Sequence, residues 1–135
     1  MIIILCVDDN GGMMFNKRRL SRDKVLYEKI IDITKESTLW LNNYSSSLFE
    51  GMNSSHIRVS ESFIENATKG DFCFVEDTGL KSFENRIEKI ILFKWNRVYP
   101  KDLFFDINVS GWKLIESSEF AGNSHKKITM EVYEK

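Results

Sequence analysis

The chain has 135 residues, a formal net charge of −1 at pH 7 and 42% apolar residues. This length suits one domain that buries its own core, and the composition is that of a folded protein rather than a disordered or disulfide-dense one. The apolar run at residues 2–7 is too short for a signal peptide or a membrane span. We therefore expect one cytoplasmic domain over residues 1–135.

Strand and helix patterns alternate through the first two-thirds of the chain. Residues 2–7, IIILCV, form a continuous apolar run that is typical of a strand buried on both faces. Ser21 is a suitable N-cap for a helix over about 21–35, where apolar residues recur at helical spacing. Further patterns predict strands at 38–41, 56–59 and 72–75, and short helices at 44–51, after Ser60 and at 79–86.

The last third of the chain carries strand patterns alone. Residues 87–95 predict the longest strand, and residues 112–115 and 128–133 predict two closing strands joined by the linker 121–127. Alternating strands and helices followed by strands alone indicate an α/β fold whose mixed sheet ends in an antiparallel hairpin.

Two cysteines, Cys6 and Cys73, each lie within an apolar run. Cysteine is among the residue types most often buried, so we expect both on interior strands of one sheet, almost fully buried and reduced. Neither has a second cysteine at the spacing of a metal or redox motif.

A basic segment, residues 17–24 (KRRLSRDK), stands out against the acidic remainder of the chain. Its five basic side chains and one aspartate give it a charge of +4, which leaves −5 for all other residues. Lys17, Arg18, Arg19 and Arg22 are therefore candidate contacts to a protein partner or to a nucleic-acid backbone. The alternative interpretation is a solvated loop and helix start.

Several stretches resemble one known family. Residues 87–106, IEKIILFKWNRVYPKDLFFD, place the Asp-x-x-Phe segment of Asp102 and Phe105 after a long strand. Residues 112–134 are similar in order and spacing to a final hairpin, and an apolar strand, a glycine-containing loop and residues 20–23 open the chain. Together these stretches resemble a shortened dihydrofolate reductase. The resemblance implies a three-layer α/β sandwich, in which helices flank both faces of a twisted mixed sheet.

The positions that would hold the nicotinamide cofactor of that family carry other residues here. Glu76 and Asp77 stand where the family has paired glycines, and two carboxylates there would repel the cofactor's phosphates. Asn42 and Asn43 stand where the family has a glycine and a phosphate-holding arginine. Phe93 replaces a threonine that supports the substrate-binding acid. We therefore expect no cofactor and no nicotinamide-dependent reduction.

Asp23 stands where the family keeps its substrate-binding carboxylate. One interpretation is a vestigial anchor for a pterin-like molecule. The other places Asp23 at the second position of a helix capped by Ser21, where an acid favours the helix dipole.

Other catalytic patterns are absent or incomplete. Asp8 and Asp9 resemble the acidic pair of response-regulator receivers, but the phosphorylated aspartate and the late lysine of that class have no counterpart, so we expect turn-forming residues. His56 and His125 are far apart, and we expect both at the surface. No zinc motif, P-loop or nucleophile elbow occurs.

These observations lead us to expect a non-catalytic binding protein, a pseudoenzyme on a reductase-like fold, with no metal and no membrane contact. Its expected partner is another protein, and one conceivable role is that of an immunity partner of a toxin. A second hypothesis is a binder or enzyme of a folate-like or nucleotide-like small molecule that uses Asp23. A third is an RNA-binding protein that uses residues 17–24.

Overall fold

The computed structural model describes residues 1–135 as two sheets, one of seven strands and one of three. The strands are β1 (Ile2–Val7), β2 (Gly12–Phe15), β3 (Arg18–Arg19), β4 (Leu39–Leu41), β5 (Ile57–Val59), β6 (Phe72–Phe74), β7 (Lys89–Lys94), β8 (Leu103–Phe104), β9 (Lys113–Phe120) and β10 (Ile128–Glu134). The helices are α1 (Lys24–Thr34), α2 (Asn43–Ser46) and α3 (Phe63–Asn66), with 3₁₀ turns at Ser47–Phe49, Lys81–Arg86 and Val109–Gly111. None of the helices has the length and apolar character that a membrane-spanning helix needs.

The large sheet has the strand order β5-β4-β6-β1-β7-β10-β9. Its central strand, β1, pairs in parallel with β6 and β7, so Ile3 lies beside Cys73 and Ile90. Strand β10 runs antiparallel to both β7 and β9. The prediction of a mixed sheet that ends in an antiparallel hairpin is therefore confirmed.

The continuous apolar run of β1 supplies side chains to cores on both faces of this sheet. Ile3 and Leu5 pack with Phe63 and Ile64 of α3 on one face. Ile4 packs on the other face, in a core to which α1 contributes its buried apolar side chains. A strand with a core on each side has no solvated face, which explains why its sequence does not alternate.

The small sheet, in the order β3-β2-β8, was not predicted. Its strands have two to four residues each, and β2 begins with a glycine, so they give no periodic signal. A two-residue turn joins β2 to β3, and both of its residues, Asn16 and Lys17, have positive φ angles of 52° and 62°. This hairpin presents part of the basic segment to solvent.

Helix α1 begins later than predicted, and its cap is a different residue. Asp23 has extended backbone angles, and its carboxylate accepts hydrogen bonds from the backbone N–H groups of Val25 and Leu26. The prediction that Ser21 caps this helix, with Asp23 inside it, is therefore wrong. An aspartate two residues later satisfies the free N–H groups of the first turn equally well.

Both cysteines lie on interior strands and are free thiols, as predicted. Cys73 is fully buried, and this burial raises its pKa to about 12. Cys6 is only partly buried, so the prediction of nearly complete burial is wrong for this residue. Its thiol lines a small cavity beside Leu20, Glu76 and Trp95, where a loop rather than a helix covers the sheet.

The core on the α1 face predicts a large difference between two phenylalanine substitutions. Phe74 is 1% exposed and packs edge to face against Tyr27 and Phe49. Phe74→Ala should lower the free energy of unfolding by about 3–5 kcal/mol, because it leaves a cavity in a packed core. Phe104→Ala is the control, since Phe104 is 49% exposed, and it should cost under about 1 kcal/mol. Urea unfolding measures both, and similar costs would contradict the packing described above.

Candidate functional site

An ion pair joins Arg19 of β3 to Glu76 in the loop that follows β6. The Arg19 guanidinium donates to both carboxylate oxygens of Glu76, with Nε at 2.9 Å from Oε2 and Nη2 at 3.0 Å from Oε1. The side chains are 16% and 9% exposed, respectively. The Tyr44 ring lies 4.3 Å from the guanidinium carbon, and the Ser45 hydroxyl donates to Glu76 at 2.8 Å. This bidentate pair is therefore enclosed by its own polar and aromatic partners.

The other positions that differ from the family also make contacts within the chain. The Asn42 amide donates to Asp77 Oδ1 at 2.9 Å, and its carbonyl oxygen caps α2 by accepting from the Ser45 N–H at 3.0 Å. The Asn43 backbone N–H donates to Glu61 at 2.8 Å. The Asn42 side chain therefore holds the start of α2 against the loop that follows β6, and neither asparagine offers a cationic group to a phosphate.

Asp23 is buried, and its carboxylate is surrounded by hydrogen-bond donors. One oxygen, Oδ1, accepts from the backbone N–H groups of Val25, Leu26 and Asn123. The other, Oδ2, accepts from the Ser124 N–H at 3.0 Å and also lies 3.1 Å from the Ser124 hydroxyl and from His125 Nδ1. Burial by itself raises the pKa of Asp23, but the donors at 123–125 and in α1 outweigh it and lower the pKa to about 2.

The chain passes so close to this carboxylate that residue 122 has no room for a side chain. A Cβ atom on Gly122 would overlap Asp23 Oδ2 and lie 2.7 Å from its Cγ. Several backbone N–H groups hold the Asp23 carboxylate in place, so it cannot move away from an added side chain. Glycine at position 122 is therefore required by the approach of the 121–127 linker to the start of α1.

His125 lies inside the protein, so the prediction that it is a surface residue is wrong. Its ring stacks on Trp95 with centroids 4.6 Å apart, and Nδ1 contacts Asp23. On the other side of the ring, Nε2 lies 3.0 Å from Ser21 Oγ and 3.3 Å from Tyr99 Oη. The sequence gives no signal for this cluster, because His125 is about one hundred residues from both Ser21 and Asp23.

The basic segment divides into exposed and enclosed side chains. Lys17, Arg18 and Arg22 are exposed, and we call these three residues the basic surface. Arg19 differs from the other three basic candidates, because its side chain is enclosed and pairs with Glu76. Phe15 lies opposite Arg18 in the hairpin and is 47% exposed. The basic surface thus has an exposed aromatic ring beside it.

A pocket of about 480 Å³ opens next to the basic surface. Its lining consists of Met14, Lys17, Tyr44, Asp77, Asp102 and Leu103. Asp102 also accepts a hydrogen bond from the Asn16 N–H at 3.0 Å, which holds the tip of the β2–β3 hairpin over this pocket. One lysine and two aspartates give the pocket a mixed charge with an excess of carboxylates.

Asp8 forms a turn, as predicted. Its carboxylate is buried and accepts from the N–H groups of Asn10, Gly12 and Tyr99 and from the Lys101 ammonium group. No group of three or more His, Cys, Asp or Glu side chains is arranged to hold a metal ion.

Comparison with known proteins supports the fold. No protein-family model and no curated protein sequence matches the chain. Among solved structures, the chain is similar to a dihydrofolate reductase from Enterococcus faecalis complexed with NADP(H) and RAB-propyl. The TM-score is 0.66 at 12% sequence identity, and the match covers 98% of this chain and 94% of that chain. The chain therefore has a dihydrofolate reductase-like α/β fold, as the sequence predicted.

The contacts of Asp23 predict that its charge stabilises the fold above about pH 4. Its pKa is lowered from 3.8 to about 2, so the stabilisation is complete above the unfolded-state value and is lost as the pH falls through 2. At neutral pH, Asp23→Asn should therefore lower the free energy of unfolding by about 2 kcal/mol. The difference between wild type and variant should shrink between pH 4 and pH 2, as followed by urea unfolding. Asp9→Asn, at an exposed site, is the control, and equal losses in both variants would contradict the prediction.

Proposed function

We propose that this protein is a binding protein without reductase chemistry, and that its partner is another protein. The observation that carries the proposal is the bidentate contact between Arg19 and Glu76, since Glu76 is one of the residues that the resemblance aligns with the cofactor-binding glycines. In this respect the protein is a pseudoenzyme on a reductase-like fold. The proposal includes a cytoplasmic location.

The charges of the cleft support the absence of reduction. A cofactor's diphosphate would have to displace Arg19 from Glu76 and then lie beside the carboxylates of Glu76 and Asp77. Like charges about 4 Å apart repel by roughly 4 kcal/mol at an effective dielectric of 20. At the positions of the second phosphate contact, the Asn42 amide donates to Asp77 and the Asn43 backbone N–H donates to Glu61.

The basic surface supports a macromolecular partner. Lys17, Arg18 and Arg22 are exposed, and Phe15 adds a half-exposed aromatic ring next to Arg18. Arginine and aromatic side chains are frequent among the residues that dominate the free energy of protein–protein binding. The complementary partner surface is acidic with an apolar depression.

The structure favours a protein over a nucleic acid as this partner. Lys17 lines the same pocket as Asp77 and Asp102, so a continuous polyanion that followed the basic surface would meet two carboxylates. A folded protein presents charges of both signs and can match this pattern. An immunity role, in which the partner is a toxin, is one form of this proposal.

The small-molecule hypothesis has less support. An anchor for a pterin-like molecule needs a carboxylate with free acceptor positions facing the cleft. Both oxygens of Asp23 are instead occupied by groups of α1 and of residues 123–125, and the side chain is buried.

The proposal predicts that the protein does not bind NADPH. Isothermal titration calorimetry at moderate salt should detect no saturable binding in the micromolar range, because Glu76 and Asp77 oppose the phosphates. The Enterococcus faecalis reductase is a suitable positive control, since its solved structure contains NADP(H). Micromolar affinity for NADPH would overturn the proposal.

A second prediction concerns the basic surface. Replacing Lys17, Arg18 and Arg22 with Ala should weaken capture of the native partner from cell extract, with a larger effect at low salt. The free energy of unfolding should change by less than about 0.5 kcal/mol per substitution, because the three side chains are exposed.

The matched control replaces Lys69, Lys81 and Lys113, which are exposed elsewhere and remove the same charge. Equal loss of capture in both triple variants would show a general charge effect and would contradict a specific basic surface. Titration with fluorescent single-stranded RNA separates the remaining hypothesis, since tight, salt-dependent RNA binding that only the first variant loses would favour nucleic acid as the partner.

A further inference from the structure

His125 joins Ser21 and Asp23, which are about one hundred residues away in the sequence, into one continuous hydrogen-bonded chain. Ser21 Oγ lies 3.0 Å from His125 Nε2, and His125 Nδ1 lies 3.1 Å from Asp23 Oδ2. We propose that Ser21 is a nucleophile that accepts an acyl group from a small activated carboxylic ester, with His125 as its general base. Asp23 is then a positioning residue, which orients the imidazole. This activity is separate from reduction, and it does not depend on the proposed partner binding.

The surroundings of His125 set the hydrogen positions that this role needs. A carboxylate accepts hydrogen bonds and donates none, so Nδ1 carries the hydrogen in its contact with Asp23, and in the neutral ring Nε2 then has a lone pair for the Ser21 hydroxyl. Four backbone N–H groups hold the Asp23 carboxylate in place. Trp95, stacked on the imidazole, fixes the plane of the ring. This arrangement has the roles of a Ser–His–Asp triad, which is recognised by geometry rather than by chain order.

The second histidine, His56, also contacts a hydroxyl group, but it has no carboxylate to orient its ring. Thr34 Oγ1 lies 2.9 Å from His56 Nε2, but it also lies 2.7 Å from the Ile30 carbonyl oxygen, to which it donates its hydrogen. No carboxylate contacts the other nitrogen of His56, and Thr34 is fully buried. The complete set of nucleophile, base and orienting carboxylate therefore occurs once in this protein.

Ser21 differs from its two partners in its exposure and in the backbone N–H groups beside it. Its residue is partly exposed, unlike Asp23 and His125. The backbone N–H groups of Ser21 and Arg22 lie outside the helices and strands and donate to no acceptor of the chain. The N–H of the residue after the nucleophile is a donor that other hydrolases use to stabilise the oxyanion. Tyr99 Oη, at 3.3 Å from Nε2, is the competing donor.

The proposed reaction is a hydrolysis in two steps. Ser21 Oγ attacks the ester carbonyl carbon while its proton moves to His125 Nε2, and the bond to the leaving alcohol breaks as that alcohol takes the proton. Water, activated by the same nitrogen, then attacks the acyl-serine, which releases the carboxylic acid and restores the hydroxyl. Nothing is oxidised or reduced, and water is the only co-reactant.

A fluorophosphonate probe tests the proposal without a known substrate. The wild-type protein should take up one label per chain at Ser21, as shown by intact mass and peptide mapping, and should release p-nitrophenol from p-nitrophenyl acetate with a burst. Ser21→Ala should lose both signals, and Ser110→Ala, an exposed serine without a histidine neighbour, should keep them. Tyr99→Phe removes the competing hydroxyl and should raise the labelling rate.

His125→Gln should slow labelling by at least about 100-fold, provided that circular dichroism shows a folded protein. A purely structural role for His125 would leave the labelling rate of a folded His125→Gln protein unchanged. If folded wild-type protein takes up no label at Ser21, or if Ser21→Ala labels as fast as wild type, the cluster is structural and the proposal fails. Binding of the protein partner is measured in a separate experiment, so neither labelling result counts for or against the proposed function.

Discussion

The packing of α1 against the 121–127 linker depends on the hydrogen bonds of the Asp23 carboxylate. It caps α1, it holds the backbone at Asn123 and Ser124, and it receives the imidazole of His125. One buried charge therefore joins the first helix to the hairpin that closes the sheet. A buried carboxylate is stable only when its oxygens are supplied with donors, and here the donors are mainly backbone N–H groups that cannot turn away.

A second internal contact, the ion pair between Arg19 and Glu76, is also enclosed by the protein. In the solved reductase that shares this fold, the structure contains a nicotinamide cofactor. Here Arg19 and Glu76 form a bidentate pair under Tyr44 and Ser45. Removing either partner would leave the other charge partly buried and unpaired, a large cost compared with that of losing an exposed ion pair. The contacts of Asp23 and Arg19 thus join segments that are distant along the chain.

The features that the sequence predicted are those encoded in local periodicity. The apolar run of β1 and the alternation of β10 determine the sheet, and the order of strands and helices determines its mixed topology. The errors concern pairs of residues that are distant along the chain. Whether Ser21 or Asp23 caps α1, and whether His125 is buried, depends on how the 121–127 linker packs against α1. No pattern within either segment records that contact.

Two adjacent arginines of the basic segment, Arg18 and Arg19, have different environments. Because side chains alternate along a strand, Arg18 and Arg19 of β3 point to opposite sides, the first to solvent and the second to Glu76. The two-residue turn fixes this register, although it places Lys17 at a positive φ that is unfavourable for a residue with a side chain. The basic segment has a formal charge of +4, but Glu76 neutralises Arg19. A partner would therefore meet less positive charge than the sequence indicates. Lys17 and Arg18 are the exposed charges of the hairpin, with Phe15 opposite Arg18, whereas Arg19 is enclosed with Glu76.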